Sequence, residues 1–292
     1  MNSLLNVQEI PLQLAIFLLP LPLFFVSSAP ISAQTAPAPQ AKSWVGRWLG
    51  NVSATQAAQP HWMTPVATVT PRLEQEFRFD TFHQETSTGN VTNLDGGKGL
   101  ELIPTRRTEL LLNLPPYLLH QNPTAADGWG DVSFLMKYRF FARNEQHGAA
   151  IVTAFLGGSV PTGTHKNGSI SAVVLPTLAA GKGWGKWDVQ ATLGGGLPVD
   201  SVQKLGRTIL SNNTLQYHAL KQLWPEIEIN STFWEGGTND GKKQTFVTPG
   251  VIFGRFPIHH RVALAAGAGF QIATTHYNQY NHAFIGTIRM PF

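Results

Sequence analysis

From Arg72 onward, apolar and polar residues alternate with a period of two, in runs broken by clusters of Gly, Asn, Asp, Thr and Pro. In "RLEQEFRFDTF" Leu73, Phe77 and Phe79 share one face, and Glu74, Glu76, Arg78 and Asp80 share the other. "DVSFLMKYRFF" sets Val132, Phe134, Met136, Tyr138 and Phe140 against Asp131, Ser133, Lys137 and Arg139. "KWDVQATL" opposes Trp187, Val189 and Leu193 to Lys186, Asp188 and Gln190, and "PEIEINSTFW" opposes Ile227, Ile229 and Phe233 to Glu226, Glu228 and Asn230. In "RVALAAGAGFQI" Val262, Leu264 and Phe270 face away from small residues and Gln271. A period of two predicts β-strands buried on one side.

The pattern places strands at about 72–82, 98–103, 107–118, 129–141, 149–160, 170–179, 184–197, 207–218, 223–234, 244–255, 261–273 and 280–292, the second being the weakest. Twelve is the central estimate, with ten to fourteen open, and the connections alternate long and short. A sandwich or lipocalin-like barrel would turn the apolar faces inward. A transmembrane up-and-down antiparallel barrel turns them outward and has short periplasmic turns, longer external loops and an even strand number. The alternation of loop length favours the second. So does composition, because only 13% of residues are charged, too few to cover a water-facing surface well.

The last stretch, "HAFIGTIRMPF", agrees. Phe284, Ile288, Met290 and Phe292 form an apolar stripe, while Thr287 and Arg289 face the other way. A closed barrel pairs its last strand with its first and leaves no edge, and a terminal ring suits the interfacial aromatic girdle. The stripe resembles the C-terminal insertion signal of Gram-negative outer-membrane proteins, which the barrel-assembly machinery reads. Expected partners are therefore outer-membrane lipid, that machinery and an unidentified small solute.

At the other end, Leu12 to Val26 is an apolar stretch followed by small residues at Ser32 and Ala33. It reads as a cleaved signal peptide over 1–33, although Glu9 precedes it and no Lys or Arg does. Residues 34–71, rich in Ala, Thr and Pro, read as a periplasmic extension or linker, and 72–292 as the barrel. Absence of Cys removes disulfides, thiolate-bound metals and thiol nucleophiles. A net charge of +4 is too thinly spread to suggest nucleic acid.

"GWGDVSFLMKYRFF" and "AFLGGSVPTGTHKNGS" resemble the outer-membrane transporter family labelled as putative MetA-pathway of phenol degradation proteins, over about residues 69–292. The matching positions are Gly128, Gly130, Asp131, Lys137, Tyr138 and Arg139, then Pro161, Thr162 and Gly163. The resemblance implies an outer-membrane barrel that passes small, hydrophobic or aromatic molecules and is not an enzyme. The same residues also suit a purely structural role, with glycines in a tight loop, a pinning Asp and a Pro that ends a strand.

Chemistry beyond passage is thinly signalled. A barrel-embedded lipid hydrolase would need a triad from His218, His165 and Ser169, or from His259 and His260, but no Gly-x-Ser-x-Gly nucleophile elbow exists. Adjacent His259 and His260 should point apart, and Asn239 and Asp240 read as a solvated loop; no metal or cofactor is expected. A purely structural outer-membrane protein and a secreted soluble β-sandwich remain the other readings. For a barrel, the candidate lumen lining is Glu74, Glu76, Arg78, Asp80, Lys137, Arg139, Lys186, Asp188, Glu226, Glu228 and Arg289. Mixed signs point to a salt-bridged, partly occluded interior, narrower than an open porin. Leu135 and Trp234 are candidate apolar patches within it.

Overall fold

The computed structural model describes residues 43–95 and 98–292. The leader, and the part of the expected extension up to residue 42, lie outside the described residues. Helix α1 (Trp44–Ala57) starts where the Ser43 hydroxyl accepts the Gly46 N–H at 3.1 Å. Residues 58–75 then run without regular secondary structure. The strands follow: β1 (Glu76–Glu85), β2 (Val91–Leu94), β3 (Gly99–Thr105), β4 (Thr108–Asn113), β5 (Tyr117–His120), β6 (Gly128–Trp129), β7 (Val132–Arg143), β8 (Ala150–Val160), β9 (Val173–Trp184), β10 (Trp187–Pro198), β11 (Arg207–Tyr217), β12 (Leu223–Glu235), β13 (Lys243–His259), β14 (Val262–Ala273) and β15 (His282–Pro291).

Every pairing is antiparallel, and β15 closes onto β1 in unbroken register from Glu76 opposite Pro291 to Glu85 opposite His282. The closed wall has 12 strands, the expected number. The short β2, β5 and β6 were not foreseen. They extend one side of the wall upward: β1 pairs with β3 only at Glu76 and Phe77, then with β2 from Thr81 to Gln84. The fork opens at Gly99, whose φ of +148° and closeness to the Leu112 carbonyl leave no room for a Cβ.

The burial pattern is that of a soluble protein inverted. Leu178, Leu193 and Ile288 are 55%, 61% and 56% exposed, whereas Arg78, Glu109 and Asp188 are 0% exposed. Such an outer face is stable only against acyl chains, so the molecule is a transmembrane barrel of the outer-membrane type. Turns at the end carrying Glu76 and Pro291 are short (Arg106–Arg107, Gly185–Lys186, His260–Arg261), which makes that end periplasmic. Phe284, Ile288 and Met290 face outward as the alternation predicts, and the Phe292 N–H donates to the Gln75 carbonyl at 3.1 Å. A bulge between Arg139 and Phe141 turns both Phe140 and Phe141 outward.

Two expectations need correction. The first strand begins at Glu76 rather than 72, and Leu73 does not share the lipid face of Phe79. It is fully buried against Val52 and Ile103, with Trp48 beside them, because the chain reaches β1 from inside the barrel. Nor is all of 34–71 outside the barrel, since residues 59–71 hydrogen-bond to side chains of the inner wall.

Replacing Leu178, in the middle of β9 on the outer face, with Arg should cost about 2–4 kcal/mol of unfolding free energy in liposomes. Thr177→Arg, pointing inward, should not show that lipid-depth penalty, and urea titration of both variants checks the face assignment.

Candidate functional site

The interior is occupied by the strand-free segment 59–75, here termed the plug. Proline at 60, 65 and 71 and threonine at 64, 68 and 70 disfavour a helix, so the backbone polar groups of the plug need partners from elsewhere. The wall supplies them. Glu226 accepts the Val66 N–H at 2.8 Å; Glu228 accepts those of Ala67 and Thr68 at 2.7 and 2.6 Å. Arg289 donates to the carbonyls of Thr64 and Pro65, Arg78 to that of Val66, Lys137 to that of Arg72 at 3.1 Å, and Thr153 to that of Pro71 at 2.6 Å. Hydrogen bonds to charged groups contribute roughly 1.5–3 kcal/mol each, which is why a run of irregular chain holds one course through the lumen.

Apolar contacts add shape. Met63 and Val66 pack on Trp224, Ile252, Ala265 and Ile285, an inward apolar patch. The indole of Trp62 lies over Gly181 and Gly183, where any Cβ would collide with it. Gln59 closes the base of the excursion: its amide donates to the Leu73 carbonyl at 2.7 Å and accepts the Leu73 N–H at 3.0 Å. Arg139 ties this base to the wall through Gln59 and the carbonyls of Thr55 and Arg106.

Part of the remaining charge is paired within the same layer. Arg72 meets Glu74 at 2.8 Å, Arg78 meets Asp80 at 2.8 Å, and Lys137 meets Glu109 at 2.8 Å with Glu101 at 3.9 Å. Of the expected lining, Glu76, Arg78, Asp80, Lys137, Arg139, Asp188, Glu226, Glu228 and Arg289 are buried in the interior. Glu74 is there too, carried by the plug rather than by a strand. Lys186 is the exception. It sits in the tight turn between β9 and β10, exposed, with its ammonium 6.0 Å from the Tyr217 ring, because the hairpin reverses before the alternation reaches it.

The plug divides the lumen. Gln190 marks the division, accepting from Thr70 at 2.7 Å and donating to the Met63 carbonyl at 3.0 Å, with Asp188 and Gln216 also in reach. Below it a cavity of about 520 Å³ opens at the periplasmic rim between His61, Trp62, Asp188, His218 and Trp224. Above it lie two cavities of about 300 and 410 Å³ that share Leu175 and Leu210 and reach the external loops at Ser169, Gly206 and Gln279. Leu135 and Trp234 line this upper chamber, as anticipated.

The motif residues meet at the external rim. Asp131 accepts the N–H groups of Thr162 and Gly163 at 3.0 and 2.9 Å through one oxygen and that of Ser169 at 2.7 Å through the other. Thr162 accepts from Val132, and Gly130 donates to Pro116. Pro161 ends the β8 side just before this clasp. The side chains of Gly128, Gly130 and Gly163 are absent where Thr164, Pro116 and Gly168 crowd in. Lys137 lies deeper, in the charge layer, and Tyr138 faces outward.

Other candidates disperse. His165 has a φ of +53° in the external loop, and among the described residues it makes no bond to Ser169. The His259 and His260 rings do not point apart; their centroids are 4.0 Å apart because His260 takes a left-handed turn conformation. Asp240 closes its own loop on the Gly236 N–H at 2.6 Å, and no group of three metal-ligating side chains exists among the described residues.

No family model matches the chain, and no curated protein is similar to it. Solved structures are. An outer membrane channel from Pseudomonas putida F1 matches with a TM-score of 0.54 at 15% identity, over 73% of this chain and 92% of that one. The NanC porin matches at 0.49 and 10% identity, over 74% and 98%, and outer membrane phospholipase A from Escherichia coli at 0.40 and 10%, over 75% and 97%. The chain has the fold of an outer-membrane barrel.

Two outcomes follow from this geometry. With no native Cys, a Thr68→Cys probe reports plug exposure directly. Its labelling by a water-soluble maleimide should be slow and should accelerate at least about tenfold with Glu228→Ala, which orphans the buried N–H of Thr68, a loss of roughly 1–3 kcal/mol, and the half-buried one of Ala67. At the periplasmic rim, Glu145 accepts the His61 N–H at 2.5 Å and its ring at 2.7 Å. Partial burial alone would raise the Glu145 pKa, but these hydrogen bonds outweigh it and hold the carboxyl below its ordinary value. A depressed pKa stabilises the contact above the ordinary carboxylate range and loses it as pH falls through the lowered value. Labelling of His61→Cys cannot test this, since it removes the partner. A Pro60→Cys probe, its labelling rate divided at each pH by that of a free thiol to remove the thiolate dependence, should become relatively more reactive in acid, and Glu145→Gln should flatten that ratio.

Proposed function

We propose that this barrel is a passive outer-membrane channel for small molecules, and that the plug keeps it closed or nearly so toward the periplasm. The carrying observation is the division of the lumen: an upper chamber reaching the external loops and a lower cavity reaching the periplasmic rim, parted by one layer of plug and wall around Gln190. The likeness in fold to an outer membrane channel supports the reading. So does the resemblance of the Gly128–Asp131 and Pro161–Gly163 motifs to transporters of hydrophobic or aromatic molecules, together with the leucines of the upper chamber.

In this reading no residue makes or breaks a bond. The charged layer seats the plug, the rim clasp keeps the external loops open, and a solute is admitted by the upper chamber's size and polarity. Passage requires the plug to shift, and the wall groups it leaves behind would present a polar, wettable path.

Planar-bilayer conductance tests this. The wild-type barrel should conduct weakly, and a chain lacking residues 43–72 should conduct several-fold more while keeping its heat-modifiable mobility on gels. A folded, plug-free barrel that conducts no better than wild type would refute the plug as barrier. Hydrolysis of lipid by the wild type, lost in Ser169→Ala, would replace the channel by an enzyme.

A further inference from the structure

The upper chamber contains one charge that the plug does not use. Lys98, just before β3, lines it and is only 7% exposed. Among the described residues its ammonium has no hydrogen bond and no ion pair. The charged groups that act on it electrostatically are Arg78, Asp80, Glu101 and Lys137, and the two carboxylates are already engaged, Asp80 by Arg78 at 2.8 Å and Glu101 beside Lys137 at 3.9 Å. An ammonium withdrawn from water without a carboxylate in direct contact is costly. The rest of the chamber supplies none: it is leucine, valine and phenylalanine, with neutral amides and hydroxyls such as Asn113 and Thr177.

We infer that the upper chamber is a binding site for small amphipathic monocarboxylates, the carboxylate pairing with Lys98 and the apolar body lying on Leu135, Leu175 and Leu210. One ammonium matches one negative charge, so a dianion would bring a second charge into a wall with nothing to receive it. The leucines would be indifferent to a body as short as a methyl group. The cavities of about 300 and 410 Å³ accommodate a ligand of this size. This inference deepens the channel reading by naming the solute class that the external vestibule selects, and it rests on that reading only for the step of passage.

Equilibrium titration calorimetry on the full, detergent-purified chain separates the two. The probes are hexanoate, its neutral isostere hexanamide, and acetate. Hexanoate should bind at least about tenfold more tightly than either of the others. Lys98→Gln should bring hexanoate down to the level of hexanamide and leave hexanamide unchanged, while Lys98→Arg should retain the preference. Leu210→Asn, on the opposite wall, should weaken hexanoate but not acetate, and it stands as an independent arm if K98Q fails the heat-modifiability check. Equal binding of hexanoate and hexanamide by the wild type, or of hexanoate by wild type and folded K98Q, overturns the assignment. Equal binding of acetate and hexanoate overturns the apolar half of it. Hexanoate binding without conductance would leave the site standing and refute the channel, whereas conductance without the Lys98-dependent preference would do the reverse.

Discussion

An irregular stretch of backbone inside a membrane barrel must have its N–H and C=O groups hydrogen-bonded by something other than itself. That constraint organises the interior of this protein. The plug has neither helix nor strand to satisfy it, so the wall does: Glu226 and Glu228 take the donors, and Arg78, Lys137 and Arg289 serve the acceptors. These charged side chains are therefore receptors for peptide groups before they are anything else. Arg78 with Asp80 and Lys137 with Glu109 are ion-paired as well.

The barrel itself was legible because a strand with one lipid face and one lumenal face writes its orientation at every second residue. Phe134, Met136 and Tyr138 against Lys137 and Arg139 leave only the direction of the apolar face undecided, and the alternation of short and long connections decides it. The plug was not legible for the converse reason. Residues 59–75 follow no period, because each makes a separate contact, and a Pro- and Thr-rich stretch looks the same whether it is solvated or threaded through a pore. Leu73 misled for a related cause: two residues of accidental alternation joined it to the strand that follows. Lys186 failed at a hairpin, where parity stops carrying meaning. A hint was available in Gly181 and Gly183, two inward glycines on one strand, which usually mark a close approach.

Gly128–Asp131 and Pro161–Gly163, distant in sequence, meet at the external rim. The Asp131 carboxylate gathers three N–H groups from the β8–β9 loop and so shapes the external mouth.

The seat of the plug draws on both ends of the wall. Thr64 and Pro65 are held by Arg289, which lies 225 and 224 residues further along the chain on the final strand. Contacts of such separation form late, since the intervening chain must be ordered first. Maturation is thereby tied to closure: until the last strand zips against the first, two carbonyls of the plug lack their guanidinium.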